Sequence, residues 1–372
     1  MLREGAWCEV DVRQFHQNIE IIRQRTKSSL LLVIKAGAYG HGAVPMCQAA
    51  IDIGISMFGV ATVDEADEIS SAVPAAKLLV LSPITNAEIR ECVHRGWRFF
   101  VWNRNHIETA RQAANECGRV GLAHILIDTG MGRDGIQLRD WSNFFASCSK
   151  TSGVLYEGFA THFSAADAED PSDTDRALHF FIQGRERAKE YGLNPPLVHA
   201  ANSSATLRFP AAHFSMVRIG VIAYGLRPDS WMSLPAGISP ILEWKARIVR
   251  VETLPPNHTV SYGGEYVTRE EECVLTLPIG YADGFSRHPP GINSVLYYGE
   301  QLPVLGRVCM DQVVVRAPSG LTPALGDHVM LLGRSGDQEI SAEMLAKRWG
   351  TNNYDVVVGI RKRVPRLYIS AR

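Results

Sequence analysis

The sequence predicts an α/β fold, a (β/α)8 TIM-like barrel followed by a C-terminal mostly β domain. Three observations carry this reading. Eight short apolar runs alternate with amphipathic segments through the first two-thirds of the chain. Near residues 229–240, DSWMSLPAGISP, the texture changes to strand-like runs parted by Gly, Pro and Asn turns. Finally, 372 residues are too many for one ordinary core and suit a large barrel with a second domain.

The N-terminal run AWCEVDV has no evident place in a barrel and is expected to pair with the second domain. From Asp11 to Lys27, Phe15, Ile19 and Ile22 fall on one helical face. The apolar runs follow: LLLVIK ending at Lys35, MFGVA at Ala61, KLLVL at Leu81, RFFVW at Trp102, HILID at Asp128, YEGFATH at His162, PLVHAAN at Asn202 and SMVRIGV at Val221. Helical patterns lie between nearly all of them, such as TNAEIRECVHRG and DTDRALHFFIQGRERAKEYG, each closed by a glycine. Continuous apolar strands joined by helices mean a parallel sheet covered on both faces. Eight such strands are the number of a closed barrel, although an open doubly wound sheet uses the same units. Beyond residue 240 the strand-like runs are ILEWKARIVRVETL, CVLTLPIGYA, VLYYG and VVVRAP, with SAEMLAKRWG the only clear helix. The expected organisation is therefore residues 1–10 as a strand associated with the β domain, 11–232 as the barrel and 233–372 as the β domain.

Composition excludes several function classes. With 46% hydrophobic and 21% charged residues, the chain is an ordinary globular one. A net charge of −1 gives no general attraction to nucleic acid or acidic membranes. Seven scattered cysteines without a C-x-x-C pattern indicate neither a disulfide framework nor a zinc site, so no metal is expected. The N-terminus lacks an apolar signal core and no stretch is apolar enough to span a bilayer, so a cytoplasmic location is expected.

In a barrel the chemistry belongs at the C-terminal ends of the strands, where the unusual residues fall. Lys35 closes the first run and is followed by AGAYGHG. A lysine there is partly desolvated, which lowers its pKa and frees the amine as a nucleophile. The same position also fits a lysine snorkelling beside a tight turn. DTGMGRDG after the fifth run suits a loop aiming Arg133 at a carboxylate or phosphate, or a plain glycine-rich turn. His162 ends the sixth run, and a lone histidine there also fits a structural role. Asn202 and Ser203 follow the seventh run, and Arg218, Gly220 and Val221 lie at the eighth. Loops after strands seven and eight form the usual phosphate site of such barrels, and Ser203 with the amides of Gly220 and Val221 supplies donors. In the second domain SYGGEY, IGYADGFSR and GRVCMDQ interrupt apolar strands, which ordinary hairpin turns also do.

Taken together, VIKAGAYGHG, DTGMGR, THFSAAD, HAANS, VRIG, SYGG, IGYADG, GRVCMDQ and NNYD strongly resemble, in order and over almost the full length, the alanine racemases, fold-type III pyridoxal phosphate enzymes. The resemblance implies pyridoxal 5'-phosphate as cofactor, carried by Lys35. It places Tyr39, Ser203, Gly220, Val221 and Tyr354 at the phosphate, Arg218 at the pyridine nitrogen, and His162 and Asn202 beside the cofactor. Arg133 and the Met310 amide would bind the substrate carboxylate, and Tyr262 would be the second acid–base group. Asp167, Tyr281, Arg287 and Arg307 would line the entry corridor. A homodimer is implied, with Tyr262 and Met310 reaching the other subunit's cofactor. So is interconversion of L- and D-alanine, a source of D-alanine for peptidoglycan. Serine or broader specificity is the alternative, against which Tyr354 argues by crowding the substrate side chain.

The chain departs from the family pattern at four places. It has Gly37 for Asn, Ile219 for Pro, Asp134 for an apolar residue, and Leu126 where many members carry a carbamylated lysine. Leu126 cannot anchor Arg133. A bound inorganic anion is the first expected substitute, because adjacent side chains on an extended loop tend to point apart and would turn Asp134 away.

Overall fold

The computed structural model describes residues 5–370 except 290, 319 and 321. The chain forms two compact units. One contains His16–Ala38 and Ala43–Ile238; the other contains the chain up to Phe15, Tyr39–Gly42 and the chain from Ser239 onward.

The first strand, β1 (Ala6–Asp11), belongs to the second unit. The barrel unit holds β2 (Ser29–Val33), β3 (Met57–Val60), β4 (Lys77–Val80), β5 (Arg98–Val101), β6 (Gly121–Leu126), β7 (Val154–Ala160), β8 (Leu197–His199) and β9 (Met216–Ile219). They pair in parallel in the order β8-β7-β6-β5-β4-β3-β2-β9, so each of the eight apolar runs is one staircase step. The ends meet as well: the Ser215 amide donates to the Val198 carbonyl at 3.2 Å and the Arg218 amide to Ala201 at 2.9 Å. This nearly closes the sheet and selects the barrel over the open alternative.

Local signals set the surrounding helices. The amphipathic stretch after β1 is helical over Val12–Arg25, with Phe15, Ile19 and Ile22 fully buried. Asn86–Arg95 begins in a Thr85–Glu88 capping box and ends at Gly96 in the left-handed region. Ser172–Lys189 buries Phe181 against Phe159 of β7 at 5.5 Å between ring centroids, and Phe145 lies 6.2 Å on the other side of Phe159.

In the second unit β1 pairs antiparallel with Leu242–Arg247 and parallel with Arg366–Ile369. Its alternation buries Ala6, Cys8 and Val10, while Glu9 accepts from Lys245 Nζ at 2.8 Å. The sheet continues through His328–Ser335 and Ser294–Tyr297 to Glu300–Pro303. A three-stranded sheet of Arg250–Leu254, Glu272–Leu277 and Val313–Arg316 accompanies it. The helix Ala342–Trp349 is joined by a second, Asn353–Gly359, where the sequence showed only one. Seven residues are too few to show a helical period, and its Val-Val-Val run imitates a strand; the Asn352 cap, accepting from the Asp355 amide, decides for helix. Among the described residues no helix is long and apolar enough to cross a membrane.

Phe159 fastens the barrel wall to its helices. Phe159→Ala is expected to destabilise the chain by about 3–5 kcal/mol. A urea titration followed by circular dichroism checks it, with an unchanged slope showing that the loss is one of stability.

Candidate active site

In the barrel unit the C-terminal ends of the strands gather Lys35, Arg133, His162, Asn202, Ser203, Arg218, Gly220 and Val221. Lys35 follows β2 and opens a left-handed turn, with φ of 51° at Ala36, 64° at Gly37, 52° at Ala38 and 53° at Tyr39. Left-handed backbone costs about 1–2 kcal/mol at each non-glycine residue, so something must hold it. Ile34 accepts from the Ala38 amide at 2.8 Å, and the Glu65 carboxylate takes the Ala36 amide at 2.6 Å and the Ala61 amide at 2.7 Å. The Gly37 departure is conservative in this setting, because glycine and asparagine are the residues that enter the left-handed region most readily. Sequence reasoning missed Glu65 altogether; its only local signal is a helix cap, Thr62 accepting from the Glu65 amide.

Burial lowers the Lys35 pKa from 10.5, and the Arg133 and Arg218 cations push it down further against Glu65, which raises it. The snorkelling alternative does not fit an amine so surrounded. Arg218, on β9, is buried and donates to the carbonyls of His199 at 2.9 Å, Thr161 at 2.9 Å and Ala200 at 3.1 Å, and to His199 Nδ1 at 3.0 Å and His162 Nδ1 at 3.1 Å. Burial brings its pKa to about 10, so it stays charged at neutral pH. His162 is pushed down to about 3, by burial first and then by Arg218, Arg133 and Lys35, and is therefore neutral.

Asn202 caps the helix Ser203–Arg208, accepting from the Ala205 amide at 3.0 Å. Ser203 Oγ accepts from the Gly220 amide at 3.0 Å, so the loops after β8 and β9 are joined there. Asp167, beyond β7, accepts through its carbonyl from Trp231 Nε1 at 2.8 Å.

The loop after β6 corrects one expectation. Its Asp128 carboxylate accepts from the amides of Gly130 and Met131 at 2.9 and 2.8 Å, and Gly130 and Gly132 have positive φ. The loop is curled, not extended, so neighbouring side chains converge. Asp134 Oδ2 lies 3.6 Å from Arg133 Nε, with the Asp134 side chain only 5% exposed. A carboxylate already faces Arg133 where Leu126, buried at the end of β6, offers none.

The second unit holds the other group of candidates. SYGG, IGYADG and GRVCMDQ are packed together: Ser261 Oγ donates to the Arg307 carbonyl at 2.5 Å, and the amides of Tyr281 and Ala282 donate to Cys309 and Met310 at 3.1 and 3.0 Å. Only glycine fits at 280, where a Cβ would lie 2.3 Å from two carbonyl oxygens. Tyr262 and Met310 line one open depression with Ser261, Cys309, Asp311 and Gln312, and are 64% and 52% exposed. Arg287 stacks over Tyr281 at 5.9 Å, and Arg307 is paired with Glu265 at 2.7 Å. Tyr39 and Tyr354 are ring neighbours at 6.3 Å, and burial raises the Tyr39 pKa to about 12. Among the described residues there is no cluster fit to hold a metal ion.

The family descriptions alanine racemase, N-terminal domain, and alanine racemase, C-terminal domain, match residues 10–228 and 241–368. The chain belongs to the alanine racemase family, a family of isomerases. It is 36% identical to an alanine racemase of Symbiobacterium thermophilum, over 98% of this chain and 97% of that one. Among solved structures it is similar to alanine racemase from a D-cycloserine-producing Streptomyces lavendulae, with a TM-score of 0.94 and 33% identity over 100% of this chain and 99% of the other. A histidine racemase from Leuconostoc mesenteroides is similar too, with a TM-score of 0.89 and 25% identity over 98% of each chain.

The environment of Lys35 makes a directional test. In the ligand-free protein its labelling by an amine reagent should reach half-rate at a pH below 10.5. Glu65→Gln should move that midpoint lower and Arg133→Gln should move it higher. Mass spectrometry of the Lys35 peptide across a pH series reads all three midpoints.

Proposed function

We propose that this chain is a pyridoxal phosphate-dependent alanine racemase that uses two acid–base groups, Lys35 and the Tyr262 of a second copy. The observation that carries the proposal is the pair Lys35 and Arg218: a desolvated amine whose pKa is lowered, and a buried guanidinium that neutral acceptors hold in place.

The residues present fit the cofactor. Lys35, its pKa lowered by burial, would offer its amine to the aldehyde carbon. Ser203 with the amides of Gly220 and Val221, together with Tyr39 and Tyr354, would take the phosphate; Asn202 and His162 would flank the group. Arg218 would face the ring nitrogen, where a fixed positive charge keeps that nitrogen unprotonated. When bound, the cofactor serves as a sink for the electron pair left by the α-proton. By weakening that sink, Arg218 would favour prompt return of a proton over decarboxylation and transamination.

The chain's own groups then divide the work. Arg133, with Asp134 beside it, and the Met310 amide would hold the substrate carboxylate. In the D-to-L direction the neutral Lys35 Nζ accepts the α-proton on one face and Tyr262 Oη donates its proton on the other; the reverse direction exchanges the roles. Two bases on opposite faces are what inversion requires. An exposed Tyr262 next to an exposed Met310 supports a homodimer in which a second copy covers them. Asp167, Tyr281, Arg287 and Arg307 would border the approach. The enzyme would act in the cytoplasm and supply D-alanine.

Two measurements test this. Incubated with L-alanine, L-serine and L-histidine, the purified enzyme should convert alanine fastest, as read by chiral chromatography; faster turnover of histidine or serine would transfer the chain to another specificity. Lys35→Ala and Tyr262→Ala should each be inactive, and mixing them with proven subunit exchange should restore about a quarter of wild-type activity, because half the dimers are hybrids with one intact site of two. Exchange without recovery would refute the shared site.

A further inference from the structure

Behind Arg218 a line of buried polar groups crosses the barrel interior. Arg218 Nη1 is 3.0 Å from His199 Nδ1, His199 Nε2 is 2.8 Å from His124 Nδ1, and His124 Nε2 is 3.9 Å from Glu157 Oε2. Both imidazoles are fully buried. Arg98, at the start of β5, holds both Glu157 oxygens, with Nε to Oε2 at 2.5 Å and Nη2 to Oε1 at 3.1 Å. Glu157 and Arg98 border a cavity of about 470 Å³ at the opposite mouth of the barrel, with Lys27, Ser29, Met57 and Lys77.

The chemistry gives this line a direction. A guanidinium only donates, so His199 Nδ1 must be a lone pair and its proton sits on Nε2. That N–H donates to His124 Nδ1, which must also be a lone pair, leaving the His124 proton on Nε2. This last N–H has no hydrogen-bond partner, and Glu157 Oε2 lies 3.9 Å from its nitrogen. Burial lowers the pKa of both histidines, which agrees with two neutral rings.

The backbone is shaped to admit the line. Ala123 pairs with Tyr156 but His124 pairs with Gly158, so Glu157 is the extra residue of a β-bulge, a device that re-aims a side chain. A Cβ at Gly158 would lie 2.2 Å from His124 Nδ1, so the imidazole fills the space a side chain would need.

We propose that Glu157 is a positioning residue for Arg218, acting from the far end of the barrel by reinforcing the tautomers of His124 and His199 that the guanidinium selects. Arg218, which only donates, sets the order at one end, and the Glu157 carboxylate at the other end favours the same order by attracting the last N–H. The consequence for catalysis rests on the placement of Arg218 at the cofactor ring; the tautomer order itself does not.

The test uses full-length protein labelled with ¹⁵N-histidine, the two rings being assigned by loss of signal in His124→Phe and His199→Phe. Wild-type His124 and His199 should both be unprotonated at Nδ1 and protonated at Nε2. In Glu157→Leu the last N–H loses the carboxylate beside it, so His124 and His199 should each show a mixture of tautomers. Gly158→Ala, which keeps every charge but displaces the His124 ring, should abolish the single tautomer at His199. Turnover of Glu157→Leu should fall about tenfold, which is about 1.4 kcal/mol in the barrier. Protonated Nδ1 in the wild type, or unchanged tautomers in both variants, would overturn the proposal even in an active enzyme. An inactive wild type with the stated tautomers would instead remove the racemase reading and leave the line standing.

Discussion

A buried guanidinium is the constraint around which this barrel is organised. Taking an ion out of water costs several kcal/mol unless its donors are met. Arg218 meets that cost with three carbonyls and two imidazoles, all from the ends of β7 and β8 and the residues just beyond. Those bonds fix where His162 and His199 stand and tie the strand ends on the side where the sheet closes. The same charge, after burial and Arg133, adds to the lowering of the Lys35 pKa. The cation is therefore both a structural clasp and one part of the field in which the amine works.

Much of this was legible in the sequence. The eight barrel strands coincide with eight apolar runs, because strands buried on both faces cannot avoid being apolar. The residues after those runs were found for the same reason: a lysine, an arginine or a glycine pair stands out against such a background. The helix Asn353–Gly359 was hidden by its brevity. Glu65 and Glu157 were hidden more deeply. Each is an ordinary acidic residue in a segment with no unusual pattern, and each acts on a partner 29 or more positions away in the chain. Long-range hydrogen bonds of this kind leave no periodicity.

The loop around Asp128 shows how a local rule fails. Neighbouring side chains diverge on extended backbone, but three amides drawn onto one carboxylate curl the chain. Arg133 and Asp134 then face each other, and the loop itself supplies the anion that Leu126 does not. Whether an anchor is built into the strand or the loop matters little to a guanidinium, which responds only to charge and distance.

The left-handed turn after Lys35 has a bearing on how this barrel could be lengthened or trimmed. Most strand-to-helix connections of such a fold are open loops, and residues can be added to them with little penalty. This one is a coil of the opposite hand from the helices around it, closed on Ile34 and gripped by Glu65. An added residue cannot be absorbed by winding it further, since each further turn of that hand is unfavourable, and it cannot merge with the right-handed helix that begins at Ala43. The spacing from Lys35 to Tyr39 is thus a fixed gauge in a molecule whose other spacings can drift.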